Sequence, residues 1–406
     1  MPINRQLNLR SGVSIWETLT KQTIKPTQPL RLNYDVIVIG AGVTGAMSAA
    51  AISDLGLSVL VVDRRAPASG STTASTALIQ WEIDEPLSSL VRKLGVRKAH
   101  RAYKASYKAV KNLQNQILDQ NLACSMIPRE TCFLAGNKMD AAALENEVAF
   151  RKKIGLPSKF VSHDALNESL GIDREGAILS AGSLELNPRK LTLSLLQRCQ
   201  KKGVDIAFPL TVDDIASTQF GCSIHFKNNH PIAAGKAIAA TGYEALFDIP
   251  KHKYKLISTW ALATVKQADG ALWQGHALAW EASNPYLYFR TTRDRRIIAG
   301  GEDEDFLDTK RRDKLTNKKT KVILAKLKRI LPNIDARVEF RWTGTFAESP
   351  TGLPSIGPVP DRANTFAILG AGGNGITFSK IASDLAAQWV IGKTGRMQDI
   401  FAFRGA

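Results

Sequence analysis

The sequence predicts an α/β protein in which a largely parallel, helix-covered sheet is joined to an antiparallel sheet. Three observations carry that expectation. Residues 35–65 read strand, glycine-rich turn, small-residue helix, strand and terminal acid, in that order. A second strand–turn–helix junction lies at 365–391, around Gly370-Ala-Gly-Gly-Asn-Gly375. Between the two, 257–265, 277–282, 286–291 and 297–299 are strand-like runs separated by turns, the pattern of an antiparallel sheet.

Residues 36–39 are apolar and mostly β-branched, as suits a strand buried on both faces. Gly40, Gly42 and Gly45 fill the glycine places of G-x-G-x-x-G, with Ala41, Val43 and Thr44 between them. The first glycine permits a tight turn and the second lets backbone approach a pyrophosphate. The third lets the helix 46–55 pack closely on the sheet. Amides and dipole at the helix N-terminus then face the phosphates. The strand 59–62 ends in Asp63, placed to accept both ribose hydroxyls, with Arg64 beside it. A lone glycine motif is weak evidence, but here the acid follows at the expected spacing of about 20 residues or slightly more. The stretch predicts a Rossmann-like dinucleotide site.

A chain of 406 residues is long enough for a large core and predicts two domains. With 44% hydrophobic and 22% charged residues it has the composition of a soluble globular protein. No apolar run reaches the roughly 18 residues of a membrane span, and residues 1–10 lack the apolar core of a secretory signal. Cys124, Cys132, Cys199 and Cys222 form no C-x-x-C pair, so neither a metal site nor a disulfide framework is expected, and the cytoplasm is the expected location. The net charge of +17 is concentrated in two helical stretches, 91–120 and 310–331. Each also has an apolar stripe, Tyr103, Tyr107, Val110 and Ile117 in the first and Ile323, Leu327 and Ile330 in the second. Two readings stand. One is a packed helix with a solvated basic face. The other is an anionic partner, such as a membrane surface, RNA or an acidic substrate, although no RNA-binding module signature accompanies the charge.

Residues 1–32 read as an arm, with Trp16 docking it on the surface. Residues 66–77, which include Ser71, Thr72, Thr73 and Ala74, offer amides and hydroxyls without bulk, suited to holding pyrophosphate or ring edges. Helical patterns fill 87–121, 141–153 and 164–170. Asn187 caps a further helix that has Pro188 at its first position, runs to 202 and is closed by Gly203. Strand patterns follow at 204–208, after Val212, at 224–226 and at 237–240, the last leading into Thr241 and Gly242. After a strand at 337–340 and Gly344, the chain reaches the second glycine cluster: Gly372, Gly373, Asn374, Gly375, Ile376 and Thr377. A reduced flavin carries negative charge near N1 and the C2 carbonyl, which a helix N-terminus stabilises. A bare nicotinamide enzyme has no need of this second site.

Together these pieces resemble the D-amino-acid oxidase-like flavoproteins, which include glycine oxidase, sarcosine oxidase and gamma-glutamylputrescine oxidoreductase. The resemblance spans 35–393. Beyond the two glycine clusters and Asp63 it is carried, in order, by 69–77, Leu186-Asn187-Pro188, Ala240-Thr241-Gly242, Tyr288-Phe289-Arg290, Gly300-Gly301-Glu302-Asp303 and Gly352-Leu-Pro-Ser-Ile-Gly357. The arm with Trp16 looks most like the gamma-glutamylputrescine branch. The resemblance implies a discontinuous FAD-binding domain from 33–95, 155–250 and 335–406. It also implies a substrate domain from 251–334, with helices of 96–154 flanking both. Val212 would meet the adenine side through its backbone, Thr241 and Gly242 would lie near the dinucleotide, and 373–377 would approach the pyrimidine end of the flavin.

The implied activity is oxidation of the C–N bond of an amine or amino-acid-like substrate. Hydride passes to flavin N5, water hydrolyses the resulting imine, and oxygen or a quinone takes the electrons. Alternatives are a dehydrogenase feeding a quinone at a membrane surface, or a flavoprotein acting on RNA through its basic surface. Two departures from the family pattern limit the inference. Glycine oxidase-like relatives place a carboxylate-binding arginine shortly after Trp-x-Gly, and alignment to Trp342-Thr343-Gly344 puts Phe346 there. Relatives with covalent flavin use a His or Cys; the loop 66–77 contains neither and Gly372-Gly-Asn-Gly375 has no Cys nearby, so FAD is expected to bind noncovalently. Tyr288 and Arg290 are the expected substrate contacts beside Phe346. The expected substrate is an amine or N-substituted amine rather than a small α-amino acid.

Overall fold

The computed structural model describes residues 8–244, 246–247, 254–393 and 397–403. Residues 1–7 and the domain boundary expected at 250/251 lie outside them. Among the described residues the strands form two sheets with helices packed around them.

The smaller, eight-stranded sheet contains the expected parallel core. Asn33–Ile39 runs parallel to Val59–Val62 on one side and to Asn229–Ala239 on the other, with Ile37 opposite Leu60 and Ala237. Thr365–Leu369 and Asp205–Ala207 extend it in parallel. Val36, Ile37, Val38 and Ile39 are buried because helices or strands cover both faces. Helix Val43–Ser53 packs between Pro188–Lys201 and Gly375–Val390, and the hydroxyls of Thr44 and Ser379 meet at 2.7 Å. Both glycine turns therefore open toward the same side of the molecule.

The ten-stranded sheet runs Arg10–Val13, Val338–Glu348, Lys255–Thr264, Ile297–Glu304, Leu287–Thr291, Leu278–Glu281, Ile127–Leu134, Gly176–Glu185 and Leu78–Ile79, with Ser158–Ser162 on Gly176–Glu185. Its pairs are antiparallel except that of Leu278–Glu281 with Ile127–Leu134. Several expectations need amending. Residues 96–154 hold more than flanking helices, because Ile127–Leu134 is a strand of this sheet. Ser158–Ser162 and Gly176–Glu185, within the stretch assigned to the FAD-binding domain, also join it. The helix expected over 87–121 is two helices, Leu87–Leu94 and Val96–Asp119, broken where Gly95 turns to φ +80°. Trp16 is not a surface anchor: it is 2% exposed. The arm instead supplies an edge strand, Arg10–Val13.

Candidate active site

Facing residues of the two sheets enclose a cavity of about 310 Å³, and both glycine turns open into it. At one end the first turn is held by close backbone approach. Gly40 adopts φ +114°, and a Cβ there would lie 2.3 Å from the Ala240 carbonyl oxygen. A Cβ on Gly45 would lie 1.7 Å from the Gly40 carbonyl oxygen. Asp63 accepts from the Ala41 amide at 2.7 Å through Oδ2 and from the Arg65 amide at 2.8 Å through Oδ1. Burial pushes its pKa up, while those amides and the neighbouring arginines oppose the shift. Asp63 borders the cavity, and a carboxylate keeps lone pairs beyond two amide bonds. Arg64 and Arg65 both pair with Glu244, which fixes the mouth of this end.

The loop expected to hold pyrophosphate or ring edges forms one wall. Ser71, Thr72 and Ala74 line the cavity, as do Gly42, Val43, Thr44, Val212, Thr241 and Gly242. Thr72 Oγ1 accepts from the Val43 amide at 3.0 Å. Thr73 turns away and donates to the Ala68 carbonyl. Gly344 lines the cavity against this wall, where a Cβ would stand 3.5 Å from the Ala74 Cβ. Gly372, Gly373, Gly375 and Ile376 border the other end. Asn374 and Thr377 work from behind: Asn374 Nδ2 donates to the Glu82 carbonyl at 2.7 Å, and Thr377 Oγ1 donates to the Gln80 carbonyl at 2.8 Å.

Two buried hydroxyls that border this space, Ser71 Oγ and Thr241 Oγ1, have no hydrogen-bond partner in the protein. Buried polar atoms are normally satisfied, so these two fit a polar cofactor. The open helix N-terminus at Gly42, the Asp63 carboxylate and the second helix N-terminus at Gly375 fit one too. The donor set therefore suits an extended dinucleotide such as FAD.

At the end away from Asp63, Tyr288 and Phe346 line the cavity as expected. Arg290 does not. It is 1% exposed and donates to the carbonyls of Thr76 at 2.7 Å, Leu186 at 3.0 Å and Thr291 at 3.0 Å, lying over the Trp16 ring. Burial lowers its pKa to about 10, against the pull of Glu185. Its place is structural, and it leaves the set of expected substrate contacts. Arg341 is exposed and donates to Asn317 at 2.7 Å. Among the described residues lining the cavity, the only cations are Arg64 and Arg65, at the opposite end.

Sequence reasoning missed Asp84, Tyr243, Trp280 and Tyr286, all of which border the cavity. Tyr286 stands two residues before Tyr288, the spacing that puts both on one face of an extended chain. Their ring centroids are 5.7 Å apart. Tyr286 Oη donates to Asp303 at 2.6 Å, and Tyr243 Oη donates to the Gly372 carbonyl at 3.2 Å. Asp84 Oδ2 accepts from the Gly373 amide at 3.2 Å. Burial pushes the pKa of Asp303 up to about 6, with the negative charge of Glu348 adding to the shift.

Comparison with known proteins agrees with this geometry. The profile of a family described as "FAD dependent oxidoreductase" matches residues 35–389. Glycine oxidase from Geobacillus kaustophilus superposes with a TM-score of 0.75 at 18% identity, covering 93% of this chain and 100% of that one. L-proline dehydrogenase from P. horikoshii gives 0.76 at 17% identity, covering 92% and 97%. L-alpha-glycerophosphate oxidase from Mycoplasma pneumoniae, solved with FAD bound, gives 0.74 at 15% identity, covering 92% and 100%. These likenesses concern the fold. A Bacillus subtilis protein named "Putative Rieske 2Fe-2S iron-sulfur protein YhfW" is 20% identical over 200 residues, and the match spans 49% of this chain but 38% of that protein. The profile match, over most of the chain and across both glycine turns, establishes that the protein belongs to the D-amino-acid oxidase family of FAD-dependent oxidoreductases.

Proposed function

We propose that the protein oxidises the C–N bond of an amine that carries no carboxylate beside the reacting carbon. The observation behind this reading is the absence of a cation among the described residues that line the cavity at Tyr288 and Phe346. Arg290 spends its donors on three carbonyls, and Arg341 faces solvent. A carboxylate brought into a water-shielded site without a partner is costly, and the usual answer is a bidentate arginine. Phe346 offers an alkyl chain an apolar wall, or an ammonium group a ring face.

In this reading the eight-stranded sheet carries the cofactor through Asp63, the loop 69–77 and the two helix N-termini. The ten-stranded sheet contributes most of the substrate wall: Tyr288 and Trp280 from its middle strands, Tyr286 just before Leu287–Thr291, and Phe346 from Val338–Glu348. When bound, FAD supplies the acceptor for the two electrons and the hydrogen that leave the carbon bearing nitrogen. The aromatic wall excludes water while the C–H bond breaks, so the imine forms before it is hydrolysed. Hydrolysis of the imine formed from an alkylamine R–CH2–NH2 yields an aldehyde and ammonia.

Trapping the carbonyl product with a hydrazine tests this directly. Turnover of alkylamines to aldehydes supports the reading. Formation of α-keto or glyoxylic acids from glycine or D-alanine, with no product from amines, rejects it. Oxygen consumption set against dye or quinone reduction, in the same assay, identifies the electron acceptor.

A further inference from the structure

The outward face of helix Thr309–Ile330 carries a row of positive charge that the protein does not balance. Lys310, Lys314, Lys318, Lys321 and Lys328 recur at helical spacing and are all exposed, opposite the buried Ile323, Leu327 and Ile330. From first to last the row spans about 27 Å. Arg311 and Arg329, also exposed, flank it. Among the described residues none of these lysines forms an ion pair, whereas the inward-turned Lys319 and Lys326 pair with Glu304 and Glu302. Asp313 is the only acid in the helix, and it accepts from Ser11 Oγ at 2.6 Å.

Such a row weakens the helix that carries it. Lys310, Lys314 and Lys318 stand four apart and Lys318 and Lys321 three apart, spacings at which like charges repel. A face that met only water would be better served by acids among the bases, because opposite charges at these spacings attract. An external surface of negative charge turns the same row into an attraction. Two features favour a bilayer over a nucleic acid. The helix holds no aromatic ring on which a base could stack. Its outward charge is mostly lysine, a point charge suited to a diffuse layer of headgroups, rather than the planar fork of arginine. The apolar face is already buried against the sheet, so the helix has nothing left to insert and the attachment is electrostatic. Its place in the fold leaves the cavity clear. Thr259 lines the cavity, while Trp260, next on the same strand, donates from Nε1 to the Arg312 carbonyl at 3.1 Å. Successive strand residues point to opposite faces, so the helix covers the face of the sheet turned away from the cavity.

We propose that the lysine face of Thr309–Ile330 docks the protein on anionic phospholipid headgroups, as a peripheral and salt-sensitive attachment. The proposal is independent of the amine reading. Docked there, the protein would stand beside lipid-soluble quinones, one of the acceptor classes expected for the reaction.

The test is co-sedimentation of the holoenzyme with vesicles of phosphatidylserine and phosphatidylcholine in equal parts, at low salt. One variant combines Lys314→Gln, Lys318→Gln, Lys321→Gln and Lys328→Gln. A control removes the same charge from exposed positions of Val96–Asp119, through Arg97→Gln, Lys104→Gln, Lys108→Gln and Lys111→Gln. Flavin absorbance and the thermal midpoint report that both remain folded. The wild type should bind these vesicles, ignore pure phosphatidylcholine and be released as salt rises. The first variant should bind on the order of a hundredfold more weakly, while the control keeps most of the wild-type affinity. No binding by the wild type overturns the proposal. Equal losses in the two variants show attraction by net charge alone and overturn it as well. So does tighter binding, at the same salt, to single-stranded or duplex RNA that the first variant loses.

Discussion

Asp63 shows how one side chain organises a site. Its carboxylate fixes the Ala41 and Arg65 amides and still borders the cavity, so it shapes the glycine turn and, in the proposed reading, receives the cofactor. A hydrogen bond to a charged group contributes about 1.5–3 kcal/mol. Asp63→Ala should therefore raise the dissociation constant for FAD by roughly ten- to a hundredfold, measured by reconstitution of the apoprotein. Gly45→Ala should be more severe, because the added carbon would stand 1.7 Å from the Gly40 carbonyl oxygen; the purified variant is expected to be colourless. Asp303 gives a pH prediction for the cofactor-free protein. Its native pKa, about 6, lies above the ordinary carboxylate value, so the native state holds its proton more tightly than the unfolded chain does. That contribution is present at acid pH and is lost as pH rises through about 6. Thermal midpoints across this range should fall less steeply for Asp303→Asn than for the wild type. Residues whose backbone conformation is the requirement, such as Gly40 and Gly45, were legible in the sequence. Asp84 was not, because nothing local distinguishes an acid that borders a cavity from one on a surface turn. Arg290 misled for a related reason: it shares a strand face with Tyr288, but its reach carries the guanidinium past the cavity to the carbonyls of Thr76 and Leu186.

At the scale of elements, the loop 69–77 is held from outside by four side chains. Arg10 donates to the Ser69 carbonyl at 2.9 Å, Trp342 to Ala74 at 2.8 Å, Trp16 to Ser75 at 2.7 Å and Arg290 to Thr76 at 2.7 Å. Side chains from separate elements thus hold the outer carbonyls of the wall that carries Ser71 and Thr72. The arm belongs to the site through this grip. Trp16→Phe keeps the ring and removes the donor. A single neutral hydrogen bond contributes about 1 kcal/mol, so FAD affinity should weaken by roughly fivefold, again read by reconstitution. The sequence reading of this region failed where signals are weak. Arg10–Val13 is short and half polar. Ile127–Leu134 carries Pro128 and a register shift between Arg129 and Thr131, and both features obscure a strand. The parallel strands were plain because burial on both faces demands unbroken apolar runs.

The whole molecule presents a basic surface whose two main helices are tied inward. In Thr309–Ile330, Ile323, Leu327 and Ile330 are buried. Two of its cations also turn in: Arg312 donates to Thr345 at 2.8 Å and Lys319 to the Glu302 carbonyl at 2.9 Å. Lys314, Lys318 and Lys321 remain exposed on the outer face. No helix among the described residues is long and apolar enough to cross a membrane. None of these three lysines lines the cavity. Replacing those three lysines with glutamate should leave flavin reduction unchanged, while any retention on anionic vesicles at low salt should weaken steeply with ionic strength and with the replacements. The central claim is that the cavity takes an amine and not an α-amino acid. Anaerobic mixing of the holoenzyme with glycine, sarcosine, D-alanine, proline, alkylamines and diamines, followed by the loss of oxidised-flavin colour, tests it most directly. The account predicts rapid bleaching by amines and little by the free amino acids. Rapid bleaching by glycine, sarcosine or D-alanine, with none from the amines, would contradict it.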